Sequence, residues 1–175
     1  MKTLNFLLIL LAFNSMTLYD FNLESDTSKW NIVDDTVMGG RSNGKFKINE
    51  DGHGVFSGNI SLKNNGGFSS LRYQTETLNV GKFSKAVLRI KGDGKNYQFR
   101  IKSKKRDYAN FVYSFKTSKD WMTVEIPFNE MHPEYRGRKL DMPNYSGETI
   151  EEIIFLIGNK KEESFKLLID KIELK

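Results

Sequence analysis

Trp30-Asn-Ile-Val-Asp-Asp-Thr-Val-Met-Gly-Gly-Arg-Ser42 is answered further along the chain by Asn64-Asn-Gly-Gly-Phe-Ser-Ser-Leu-Arg72. Each stretch sets a Gly-Gly pair beside polar and charged groups, with strand-like sequence on either side. A glycine pair lets the backbone turn through positive φ and lets another segment approach closely, because no Cβ stands in the way. Asp34 and Asp35 lie just before the first pair, and Arg41 and Arg72 lie just past the two turns. The expectation is that the two turns meet in space and form one preorganised polar cluster, with the aspartates held by turn amides, by Arg41 or Arg72, or by Ca²⁺ through oxygen.

Outward from these turns the dominant period is two. Phe56, Gly58, Ile60 and Leu62 alternate with Ser57, Asn59 and Ser61, and Leu71 and Tyr73 alternate with Arg72 and Gln74. Such alternation marks half-buried strands and puts Arg72 on the face opposite Leu71. The clearest strand is Tyr97 to Lys102, with Tyr97, Phe99 and Ile101 on one face and Gln98, Arg100 and Lys102 on the other; Phe111 to Phe115 is its hairpin partner. Ile150 to Ile157 reads as a buried strand, with a short helix over Glu148–Ile154 as the alternative. In Phe165 to Leu174 the apolar phase slips once around Asp170-Lys171, as an inserted bulge residue would make it. Phe128 to Gly147, holding Pro133, Pro143 and Gly137, reads as a long irregular cover. With roughly nine or ten strands by pattern and no sustained helical period, the fold class is all-β: an antiparallel β-sandwich or jelly roll.

At 175 residues, with 38% hydrophobic and 28% charged, the chain suits one globular domain with a real core. There is no cysteine, which removes disulfides, thiolate metal sites and a cysteine nucleophile. The formal net charge of +5 is spread along the chain. The densest run, Lys102, Lys104, Lys105 and Arg106, falls between two strands and reads as a solvated hairpin loop; no nucleic-acid partner is expected. Met1-Lys2 followed by the apolar run Phe6–Phe13 is too short to span a bilayer and has the length of a signal-peptide core. Residues 1–17 are accordingly expected to direct export to the periplasm or outside the cell, leaving residues 18–175 as the domain. The alternatives are a cytoplasmic chain or one anchored by an uncleaved N-terminus.

Catalytic signals are weak. His53 and His132 stand apart, and no nucleophile-elbow motif is present. No cofactor or metal and no enzymatic activity is expected. The aromatics near the turns, Trp30 and Phe68 with Trp121 and Tyr97, read mainly as core and otherwise as a platform on which a sugar ring could stack.

Taken together, Asp34-Asp-Thr-Val-Met-Gly-Gly-Arg-Ser42, Asn65-Gly-Gly-Phe-Ser-Ser-Leu-Arg72, Gly92-Asp-Gly94, Trp121 with Ile126-Pro-Phe128, and the closing Phe165 to Ile172 resemble the complex I intermediate-associated protein 30 family. The resemblance runs from about Leu18 to the C-terminus. It implies a galactose-binding-domain-like β-sandwich. It also implies a non-catalytic role, since the mitochondrial member is an assembly chaperone for NADH:ubiquinone oxidoreductase. A protein partner is therefore expected, with the motif positions Asp34, Asp35, Met38, Gly39, Gly40, Arg41, Ser42, Asn65, Gly67, Phe68 and Arg72 as the contact surface. An exported carbohydrate-binding module is the alternative.

Overall fold

Alternation becomes strand almost wherever the sequence displays it. The computed structural model describes residues 15–175. Its strands are β1 (Met16–Asp20), β2 (Trp30–Asp34), β3 (Asn43–Ile48), β4 (Gly54–Ile60), β5 (Ser69–Asn79), β6 (Lys85–Lys91) and β7 (Asn96–Lys102). They continue with β8 (Asn110–Lys116), β9 (Met122–Pro127), β10 (His132–Tyr135), β11 (Arg138–Lys139), β12 (Thr149–Ile157) and β13 (Glu163–Leu174). The pairings are antiparallel and make two sheets. One runs β3-β4-β13-β6-β9, with β1 also on β13; the other runs β11-β10-β8-β7-β12-β5-β2.

The sheets are held face to face by one apolar core. Phe155 of β12 pairs laterally with Leu71 of β5 and with Phe99 of β7, and all three are fully buried. Opposite them, Phe56, Leu167, Ile169 and Leu88 come from the other sheet. Each such side chain contributes about 1.5–3 kcal/mol by leaving water. Trp30 joins the two layers: its ring lies 4.8 Å from that of Tyr73 in its own sheet and 5.5 Å from that of Phe46 in the other.

Some expectations hold and others need correction. Trp30 and Tyr97 are core residues, 6% and 1% exposed, so neither offers a stacking platform. The segment Phe128–Gly147 contains β10 and β11, which extend the seven-stranded sheet; Pro133 sits in β10 opposite Phe111, where the sequence gives no alternation. Thr149–Ile157 is strand throughout. The phase slip in β13 is a register shift between Ile169 and Lys171 against β6. The basic run lies at the end of β7 and in the loop to β8, where the Lys105 amide donates to Glu151. The apolar run Phe6–Phe13 lies outside the described residues. Strand β1 opens at Met16, which pairs with Leu174, two residues ahead of the domain boundary expected at Leu18. Among the described residues no helix is long and apolar enough to cross a membrane.

Candidate functional site

The two glycine turns meet, and a single carboxylate joins them. Strand β2 ends at Asp34, and a 3-10 turn, Asp35–Met38, follows. Asp35 is fully buried. Its Oδ1 accepts the Ser42 amide at 2.9 Å; its Oδ2 accepts the amides of Gly67 at 2.5 Å and Phe68 at 3.2 Å, and the Ser42 hydroxyl as well. The Asp35 amide in turn donates to the Phe68 carbonyl at 3.2 Å. Asn64 adds a tie from the second turn, donating from Nδ2 to the Gly39 carbonyl at 3.0 Å.

The glycine pairs divide the labour that this packing requires. Gly39 and Gly67 turn the chain at φ of +88° and +137°. Gly40 and Gly66 lie against the carboxylate, and a Cβ would sit 2.3 Å from Oδ1 at Gly40 and 2.6 Å from Oδ2 at Gly66. Burial alone would raise the Asp35 carboxyl, but the hydrogen bonds from Ser42, Gly67 and Phe68 outweigh it and hold the group below the usual carboxylate range. The aspartate is therefore an anion bolted between two loops.

The other predicted positions separate by role. Asp34 Oδ2 accepts the Gly44 amide at 2.9 Å. Arg41 and Asn65 are exposed, and it is Asn64 rather than Asn65 that bridges the turns. The expected aspartate–arginine pairing is absent among the described residues: neither Arg41 nor Arg72 forms an ion pair with Asp34 or Asp35. Asp35 faces inward and is saturated by amides, while Arg72 projects from the outer face of β5, where its Nε donates to Ser70 Oγ at 3.2 Å. Among the described residues no three His, Asp or Glu side chains gather as a metal site would need. Beside their exposed polar groups, the bolted turns hold apolar side chains out to solvent: Val37 is 70% exposed, Met38 63% and Leu62 41%. Phe68 is half-buried behind them.

A second constellation lies on the face of the seven-stranded sheet that points away from the core. Cross-strand register sorts it into rows, because directly opposed residues share a face. One row runs Val33, Ser70, Leu156, Gln98, Ser114; the next runs Asn31, Arg72, Ile154, Arg100, Val112, His132. Arg100, Glu134 and Glu152 are buried there although they belong to no apolar core. Arg100 Nη2 donates to Glu134 Oε1 at 2.7 Å, and its Nε and Nη2 both donate to Gln98 Oε1, at 2.9 and 2.5 Å. Burial, opposed by Glu134 and reinforced by nearby Arg72, lowers the Arg100 guanidinium from its ordinary value. At one end of this face an open cavity of ≈ 310 Å³ is lined by Asn96, Gln98, Ser114, Lys116, Leu156 and Asn159, among others. Gly158 beside it lies against the Gly67 carbonyl and the Phe68 side chain, so the second turn supports the cavity rim. Sequence alternation separates Gln98 and Arg100 from the core; only strand order brings Glu134 to them.

The family description "complex I intermediate-associated protein 30" matches residues 19–169. The chain belongs to this family. An uncharacterized Schizosaccharomyces pombe protein is 29% identical over an alignment of 163 residues, covering 80% of this chain and 74% of that one. Among solved structures, the family 11 carbohydrate-binding module of the cellulosomal cellulase Lic26A-Cel5E of Clostridium thermocellum superposes with a TM-score of 0.68, at 22% identity, over 92% of this chain and 94% of the module. The Clostridium thermocellum family 11 module in complex with a β-1,3-1,4-mixed-linked tetrasaccharide gives 0.67 at 23% identity, over 91% and 94%. At these identities the likeness is one of fold: this chain is a two-sheet antiparallel β-sandwich, as these modules are.

Proposed function

We propose that the protein is a non-catalytic binding module that recognises a protein partner through the two-turn tip. The observation that carries this reading is the combination of a buried, fully bonded Asp35 with exposed Val37, Met38 and Leu62 around it. Exposed apolar side chains on a mobile loop would lose entropy on binding; on turns bolted by four hydrogen bonds they are preorganised, and less of the binding energy is spent on ordering. Arg41, exposed at the edge of the same turn, supplies a charge-assisted hydrogen bond to an acidic group on the partner. Membership in a family named for association with respiratory complex I intermediates supports a protein partner; an assembly intermediate is the corresponding candidate.

The test is photo-crosslinking from position 38, compared with position 47 on exposed β3. A partner crosslinked from position 38 alone, and lost in Val37→Glu/Met38→Glu protein that remains folded, supports the reading. Equal crosslinking from both positions, or none from either, refutes it.

A second reading, recognition of a carbohydrate, is favoured by the cavity on the outer sheet face, whose lining is dominated by amide and hydroxyl groups. It concerns a different surface from the tip, and the two readings stand or fall separately.

A further inference from the structure

The cavity beside Gln98 has its hydrogen-bonding directions set in advance, and they are of both kinds. Gln98 has its Oε1 taken by the Arg100 guanidinium, which is itself fastened to Glu134 on β10. That leaves the Gln98 Nε2 protons as donors on the cavity side. Asn159 is fixed in the opposite sense. Its Nδ2 donates to the Asn96 carbonyl at 3.2 Å and to Glu163 Oε1 at 2.8 Å, which leaves its Oδ1 as an acceptor. The exposed hydroxyl of Ser114 flanks Gln98 on one side and the apolar side chain of Leu156 on the other.

A fixed donor, a fixed acceptor and a hydroxyl beside the aliphatic Leu156 match a ligand whose groups both donate and accept and whose ring faces are C–H. Among the described residues the only ionised side chain lining the cavity is Lys116, which is exposed, and Glu163 accepts from Asn159 Nδ2. The volume, ≈ 310 Å³, falls at the lower end of the ~300–1,000 Å³ usual for small-ligand clefts.

We propose that this cavity is a subsite for a neutral polyhydroxylated ligand, one unit of an uncharged saccharide, with Gln98 donating, Asn159 accepting, and Arg100 acting as the positioning residue that fixes the Gln98 amide. The proposal rests on the carbohydrate reading above and assigns that reading its residues and its ligand charge.

The experiment is a titration of the ¹⁵N-labelled full chain with the neutral mixed-linked β-1,3-1,4 tetrasaccharide, cellotetraose and laminaritetraose, and with the acidic tetragalacturonate, into the millimolar range. At least one neutral tetraose is expected to shift the side-chain NH₂ resonances of Gln98 and Asn159 while leaving the backbone amides of Val37 and Met38 in place. Gln98→Ala then weakens its affinity about three- to tenfold, the range of one net hydrogen bond, in protein whose ¹⁵N spectrum shows it still folded. Arg100→Lys, which cannot fork onto Gln98 and Glu134 together, moves the free Gln98 NH₂ resonance and weakens binding as well. Binding that maps elsewhere, or that Gln98→Ala leaves intact, overturns the site while the carbohydrate reading survives. Shifts with tetragalacturonate alone overturn the neutral assignment. No shift with any tetraose removes the carbohydrate reading and the site with it.

Discussion

Two buried charges, Asp35 and Arg100, sit in opposite surroundings. Asp35 is ringed by the main chain: three amides and one hydroxyl from two loops fill its acceptor sites. Arg100 is held by side chains on neighbouring strands, through three hydrogen bonds to Gln98 and Glu134, and those partners keep unspent groups of their own. A charge saturated by backbone can only fix geometry, so any function near Asp35 belongs to what the fixed loops hold out. A charge bonded to side chains passes its orientation to them, and Gln98 then faces solvent with a defined donor. The first is a bolt; the second is a bracket.

The comparison is broken most sharply at the bolt. Asp35→Ala strands the Ser42, Gly67 and Phe68 amides and removes a bonded, buried anion; a loss of about 3–5 kcal/mol in urea unfolding is expected, enough to threaten folding. A loss under about 1 kcal/mol would mean that the loops hold each other without it. Gly40→Ala forces a methyl to within 2.3 Å of Oδ1 of the same carboxylate, and about 1–3 kcal/mol is expected, read as a lowered midpoint with an unchanged denaturant slope.

The Asp35 carboxyl also has a pH signature. Its folded-state value lies below the ordinary one, so the unfolded chain takes up the proton first and the stabilisation is complete above the ordinary carboxylate value. It is then lost as the pH falls through the lower folded-state value. Thermal midpoints of the wild type should drop on acidification over that window. A correspondingly flatter acid limb is expected in Asp35→Asn, and identical limbs would show that the group is not responsible.

The bracket is softer. Arg100→Lys keeps the charge and loses the fork, for about 1–2 kcal/mol by chemical denaturation. Smallest of all, Val37→Ser with Met38→Ser removes side chains that are mostly exposed, and stability should stay within about 0.5 kcal/mol. A larger loss there would show that the tip is part of the fold and not a surface held out for a partner.

Much of this was legible in residue order. Tyr97, Phe99 and Ile101 against Gln98, Arg100 and Lys102 give both the strand and its two faces, because side chains on a strand alternate regardless of what lies beside them. The bulge at Asp170–Lys171 could be read from its phase slip. β10 was hidden, since His132-Pro-Glu-Tyr135 carries no apolar alternation and its pairing to β8 comes from tertiary placement. The aspartate–arginine expectation failed for a related reason. Sequence puts opposite charges near each other, but the sheet turns Arg72 outward while the 3-10 turn drives Asp35 inward.

Sequence by itself determined the two-sheet class, the family, and the presence of two glycine-paired turns, because period-two patterning and positive-φ requirements are local properties of the chain. The tertiary structure alone decided which carboxylate became the bolt, that Asn64 and not Asn65 ties the turns, and that Glu134 reaches Arg100 from a strand far along the chain. Those outcomes depend on strand order and loop approach, which are set by how the whole core packs and not by any short run of residues.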